Sequence, residues 1–178
     1  MSRLQTLTSD QVNSETADMF AAIKRAVGKL PNVYATIGSN APAVLSHILK
    51  TGALLKAGTL SAIELDAINL AVSEATGCHY CIAAHTMTGK IAGYTAEQTR
   101  QLRDGSYPTD ARIDTLVKFA LGLVNTRGTL ESDAVEHMRK AGFSDGQLIE
   151  AALAVSAILL TNMINRINDT TLDFLKVD

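Results

Sequence analysis

Leu60-Ser-Ala-Ile-Glu-Leu-Asp-Ala-Ile-Asn-Leu-Ala-Val-Ser-Glu-Ala-Thr-Gly-Cys-His-Tyr-Cys-Ile-Ala-Ala-His-Thr86 is the stretch on which the reading of this chain turns. Ser61 answered by Glu64 is a capping box, which supplies side-chain partners to the orphan amides of a helix start. The helix it opens ends at Gly77, and Cys78 starts the next one. In that second helix positions 78, 81 and 85 share a face, because steps of three and four return to the same side. Two helices hinged at a glycine therefore present two thiols and an imidazole together.

The same grammar extends outward. Thr95/Gln98 and Ser144/Gln147 repeat the capping box. Ser9 precedes a run with Val12, Met19, Phe20, Ile23 and Val27 at helical spacing, and Gly28 closes it. Leu30-Pro31-Asn32 reads as a turn, and Pro42 suits the first turn of the following helix, which ends at Gly58-Thr59. Thr109 is the expected cap of a helix carrying Ile113, Leu116, Val117, Ala120 and Val124. Gly142 stops a short helix with Val135 and Met138. A long final helix is expected from Asp145 to Asn168. No stretch alternates apolar and polar residues as a half-buried strand would. The expected fold is all-α, a helix bundle of seven to nine helices in one domain over 1–178. Ala151 to Ile167 is apolar on more than one face, so neighbouring subunits are expected to cover part of it.

Composition narrows the function classes. The chain has 178 residues, 47% of them hydrophobic and 19% charged, which excludes disorder. A net charge of −2 with no Lys/Arg cluster argues against nucleic acid. Two cysteines exclude a disulfide scaffold. No apolar leader segment opens the chain, and Ala151–Leu160 is too short to span a membrane. A cytoplasmic protein is expected. No glycine-rich phosphate loop is present, and no flavin, nucleotide or metal cofactor is expected.

The thiols carry the candidate chemistry. A cysteine at a helix N-terminus is biased toward thiolate, and His85 one turn after Cys81 could take its proton or pair with it. In the redox reading one thiolate attacks an electrophile and becomes a sulfenic acid, which the other displaces to close a Cys78–Cys81 disulfide. The histidine makes Cys81 the better attacking thiol and Cys78 the resolving one. A zinc site from Cys78, Cys81, His85 and His79 or Glu74 is an alternative, as are two inert thiols. Asp66 and Glu74 share the preceding helix; Glu74 lies one turn before Cys78, where its charge would raise a nearby thiol pKa. Tyr34 and Tyr80 could line a pocket. His47 and His137 read as helix-face residues. Asn162 and Asn165, one turn apart in an apolar helix, need partners if buried and read first as structural.

At these residues the chain resembles the alkylhydroperoxidase AhpD-like family of the carboxymuconolactone decarboxylase superfamily: an acidic residue on one helix, then C-x-x-C-x-x-x-H opening the next. Weaker similarity runs through Leu30–Tyr34, Asn40–Pro42 and Ala141–Asn162. The resemblance implies a helical fold assembling as trimers or hexamers, and peroxide reduction through a dithiol served by a relay of Glu, water, His and Cys. Carried over, Cys81 reacts with peroxide, Cys78 resolves and His85 is the base. The family's acidic residue falls at Asp66, one methylene shorter, so Glu74 or an added water could share its task. Tyr80 stands where the founding type has a histidine, and His79 is displaced by one position. The decarboxylase branch generally lacks the paired cysteines. The activity would be that of a thiol peroxidase or disulfide oxidoreductase acting on a hydroperoxide or a partner disulfide, with electrons from a lipoylated protein, a thioredoxin-like protein or a small thiol; the alternative is a metal-binding or redox-sensing oligomer that is not a catalyst.

Overall fold

The computed structural model describes residues 2–175, which form nine α-helices and no strand. They are α1 (Ser14–Val27), α2 (Asn32–Asn40), α3 (Pro42–Ala57), α4 (Ala62–Ala75), α5 (His79–Ala92), α6 (Ala96–Arg103), α7 (Ala111–Asn125), α8 (Ala134–Lys140) and α9 (Asp145–Asn168).

The helix α4 is the axis of the bundle. It packs against α5, α6, α7 and α9. Its side chains divide between two apolar clusters: Ile68 and Val72 face the larger one, while Ala67, Leu70 and Ala71 face a smaller one with Tyr94, Leu102, Tyr107, Ile113 and Val117. A helix with core on both sides must be apolar around its circumference. The larger cluster is closed by Phe20 and Ile23 of α1, Val33 and Ile37 of α2, Leu45 of α3 and Ala151, Ala154 and Ile158 of α9.

All three capping boxes form, at Ser61, Thr95 and Ser144. Two starts differ from expectation. Helix α1 begins at Ser14, where the Asn13 side chain accepts from the Thr16 amide, because Thr8 and Gln11 hydrogen-bond each other in a turn that holds Ser9 outside the helix. Helix α7 is capped by Asp110, not Thr109: the carboxylate reaches the amides of both Arg112 and Ile113. Helix α2 is an addition. Pro31 is its N-cap, and Val33, Ala35, Thr36, Ile37 and Gly38 are all buried, leaving Asn32, Tyr34, Ser39 and Asn40 half-buried or exposed.

By length and composition α9 could cross a membrane. Here it packs against α2, α3, α4, α5, α7 and α8. It also buries three asparagines at 162, 165 and 168. Its outer side leaves Ile149, Met163 and Ile167 exposed.

Candidate active site

The turn between α4 and α5 sets the site. Gly77 takes φ +67°, a left-handed conformation that costs glycine nothing. This lets the Cys78 amide donate back to the Ser73 carbonyl at 3.0 Å and the Gly77 amide to Glu74 at 2.9 Å, satisfying the end of α4. Cys78 then becomes the N-cap of α5, its sulfur accepting from the Cys81 amide at 3.3 Å. The two cysteines are joined as a disulfide with Cα atoms 5.3 Å apart. Both are buried, at 1% and 3% exposure.

Helix α9 clamps this turn from the other side. Arg166 donates to the Thr76 carbonyl at 2.6 Å, Asn162 donates to the Thr76 hydroxyl at 2.8 Å, and Asn165 donates to Cys81 Sγ at 3.3 Å. The Asn162 carbonyl in turn accepts from the Ser73 hydroxyl. Asn162 and Asn165 need partners because they lie in an apolar helix, but nothing local in the sequence ties Asn165 to a cysteine 84 positions away.

His85 lies one turn beyond Cys81 and meets Asp66 of α4, with Nδ1 and Oδ1 3.3 Å apart. Thr88 donates to the same Asp66 oxygen at 2.7 Å and lies 3.5 Å from His85 Nδ1. The pair is partly buried, at 23% and 14% side-chain exposure. Among the described residues His85 bonds to neither sulfur of the bridged pair; its Nδ1 is turned to the carboxylate.

Glu74 goes elsewhere. Its carboxylate accepts from Arg103 of α6 at 2.7 Å and reaches neither the disulfide nor His85. His79 is exposed on the first turn of α5, and no three His, Cys, Asp or Glu side chains converge for a metal among the described residues. His47 is exposed; His137 is also exposed and pairs with Asp133. Tyr80 is buried between the two cysteines in sequence. Its hydroxyl donates to Asp173 at 2.7 Å and accepts from the Val33 amide at 3.3 Å, and its ring meets Phe174 edge-on. Desolvation, reinforced by the Asp173 bond, raises its pKa far above the ordinary tyrosine value, so it remains a protonated donor. Burial also raises the Tyr34 pKa.

This is a buried, bridged dithiol at the start of a helix, with an acid-paired imidazole one turn along, a candidate thiol–disulfide site. Residues 42–116, from the start of α3 into α7, match the model of the Carboxymuconolactone decarboxylase family; the match contains Asp66, Glu74, Cys78, Cys81 and His85. The fold agrees with solved structures. One is described as an alkylhydroperoxidase AhpD core, an uncharacterized peroxidase-related protein from Ralstonia eutropha JMP134, with a TM-score of 0.88 at 20% identity over 97% of this chain and 92% of that one. A second, an uncharacterized peroxidase-related protein from Silicibacter sp. TM1040, gives 0.83 at 22% identity over 96% and 91%. A third, a cysteine-to-alanine variant of the debrominase Bmp8 in complex with 2,3,4-tribromopyrrole, gives 0.78 at 17% identity over 97% and 92%. No curated protein sequence matches the chain. The segment thus resembles that family over 42–116, and the whole chain shares the fold of these solved structures.

Proposed function

We propose that the protein is a thiol-dependent peroxidase that reduces hydroperoxides through Cys78 and Cys81. The observation that carries this is the disulfide at the N-terminus of α5 with the His85–Asp66 pair one turn further on. A sulfur there can be ionised by exposed amides and the helix dipole, and reopened by an external thiol.

The reduced Cys81 thiolate attacks the distal oxygen of ROOH. The O–O bond breaks, Cys81 becomes a sulfenic acid, and RO⁻ takes a proton to leave as ROH. The Cys78 thiol then attacks the Cys81 sulfur. The S–O bond breaks, water leaves, and the disulfide closes. A dithiol reductant restores both thiols, so that ROOH plus a dithiol gives ROH, water and a disulfide. His85 takes the thiol proton and returns it to the leaving oxygen, with Asp66 stabilising the imidazolium. Glu74 serves the fold through Arg103 in this reading, and Asp66 is the acidic member of the relay.

Structures of the same fold carry the names alkylhydroperoxidase and peroxidase-related protein, which supports the reading. The electron donor would be a lipoylated or thioredoxin-like protein, or a small thiol, in the cytoplasm where such donors keep thiols reduced. The exposed apolar side of α9 supports assembly with further copies of the chain, proposed here as a trimer or hexamer. A zinc site finds less support, since Glu74 and His85 are each held by other partners.

The test uses reduced Cys78→Ser and Cys81→Ser proteins exposed to cumene hydroperoxide with a sulfenic-acid-trapping dione. The expected result is one label on Cys81 in Cys78→Ser and none in Cys81→Ser. Labelling at Cys78 alone would reverse the roles, and no label in either would end the peroxidase reading.

A further inference from the structure

Three asparagines are buried along one side of α9, at 162, 165 and 168. Two are satisfied at both ends of the carboxamide. Asn162 donates to Thr76 and accepts from Ser73. Asn168 donates to Thr36 and Thr170 and accepts from the amides of Arg3 and Leu4. Asn165 differs. It is 4% exposed and donates through Nδ2 to Cys81 Sγ, while its Oδ1 is buried without a hydrogen-bond partner. An orphaned buried carbonyl costs about 1–3 kcal/mol, so such groups are rare and point to a partner that another state supplies.

The two ends of Asn165 suit two states of the neighbouring sulfur. A disulfide sulfur is a weak acceptor, whereas a thiolate is a strong one, so the Nδ2 donor gains most when Cys81 is ionised. A sulfenic acid adds one O–H donor at the same sulfur, and Oδ1 is the unfilled acceptor beside it. The pattern marks a group built around the reaction cycle and not around the bridged form alone.

We infer that Asn165 is a catalytic contact of Cys81, its amide holding the attacking thiolate and its carbonyl oxygen accepting the hydroxyl of the sulfenic acid that follows. This deepens the peroxidase reading and rests on it for the second role. In that role Oδ1 fixes the direction of the S–O bond while the Cys78 sulfur bonds to Cys81; the S–O bond breaks, and the oxygen leaves as water with its own hydrogen and the Cys78 proton.

The first role can be tested without peroxide. In reduced Cys78→Ser protein Cys81 is the lone thiol, and its rate of alkylation by iodoacetamide against pH reports its thiolate directly. Adding Asn165→Leu should move that profile upward by about one pH unit, making alkylation about tenfold slower at pH 7. Asn165→Asp, which sets a carboxylate beside the sulfur, should move it further in the same direction. Asn165→Ser, a smaller polar residue, supplies a second reading if the leucine variant fails to fold. Asn162→Ala removes the bonds to Thr76 and from Ser73 but no contact with either sulfur, and should leave the profile in place.

An unchanged profile in folded Asn165→Leu or Asn165→Ser overturns the thiolate contact, and an equal shift in Asn162→Ala overturns it too by assigning the effect to the turn. The second role is read from the lifetime of the free sulfenic acid, followed by adding the dione at increasing delays after the peroxide and expected to be several-fold shorter in Cys78→Ser/Asn165→Leu than in Cys78→Ser; equal lifetimes overturn that role. A shifted alkylation profile with no peroxide reaction would leave the thiolate contact standing while the peroxidase reading falls.

Discussion

At the residue scale the site rests on short distances made by a long detour. His85 lies seven residues past Cys78, and α5 runs back along α4, so the imidazole comes level with Asp66 well up α4 and not with Glu74 beside the turn. That is why spacing alone left both carboxylates in play: both lie on α4, and only the packing of α5 and α6 assigns Asp66 to His85 and Glu74 to Arg103. The face shared by Cys78, Cys81 and His85 was legible because it is local to one helix. Asn165 and Thr88 were not, one for its distance in sequence and the other because threonine on a helix face is usually a bystander. Replacing His85 with alanine should slow oxidation of the reduced dithiol about a hundredfold at pH 7, with partial recovery at higher pH as Cys81 ionises unaided. Stopped-flow rates over a pH series check this; matching profiles for mutant and parent would remove His85 from the base role.

At the element scale the caps were the most readable feature, since a capping box needs only two residues three apart. The errors came where a cap competes with a neighbour. Asp110 displaced Thr109 because a carboxylate can accept from two amides, and Asn13 displaced Ser9 because the preceding residues close their own turn. Helix α2 was hidden because it is only nine residues long and five of them are buried, too short a span for helical periodicity to stand out. Its Gly38 is pressed against Phe20 and Leu45, so a methyl group there would collide with both. Gly38→Ala should therefore lower stability by roughly 1–3 kcal/mol despite its better helix propensity, which denaturant unfolding would measure.

The start of α4 carries a second test. Burial opposes ionisation of Glu64, but the Ser61 amide and hydroxyl and the Arg112 guanidinium outweigh it and hold the carboxyl below its ordinary range. A carboxyl with a depressed folded pKa stabilises the fold above its unfolded value, about 4.3, and loses that contribution as pH falls through the folded value. Glu64→Gln should cost roughly 2 kcal/mol at pH 7 and flatten the acid side of a melting-temperature curve below about pH 4.3. A parallel acid limb in the variant would show that this pair does not govern acid stability.

At the scale of the whole molecule α9 joins the site to the surface. One side supplies Asn162, Asn165 and Arg166 to the dithiol turn, and another shows Ile149, Met163 and Ile167 to solvent. The sequence signalled this as a helix apolar on more than one face; which side would be left uncovered needed the packing of α3, α4 and α7. The proposed trimer or hexamer should appear as a native mass of three or six chains by light scattering. Met163→Glu with Ile167→Glu should lower that mass with unchanged helical content. A single-chain mass for the unaltered protein would contradict the assembly.

All of the proposed chemistry requires that the Cys78 and Cys81 sulfurs open and close together in response to a hydroperoxide. Free thiols should be counted on fully reduced protein before and after one equivalent of cumene hydroperoxide. Two thiols per chain should disappear and two should return with dithiothreitol. Two thiols still titrating after the peroxide, in protein shown to be reduced and folded, would contradict it.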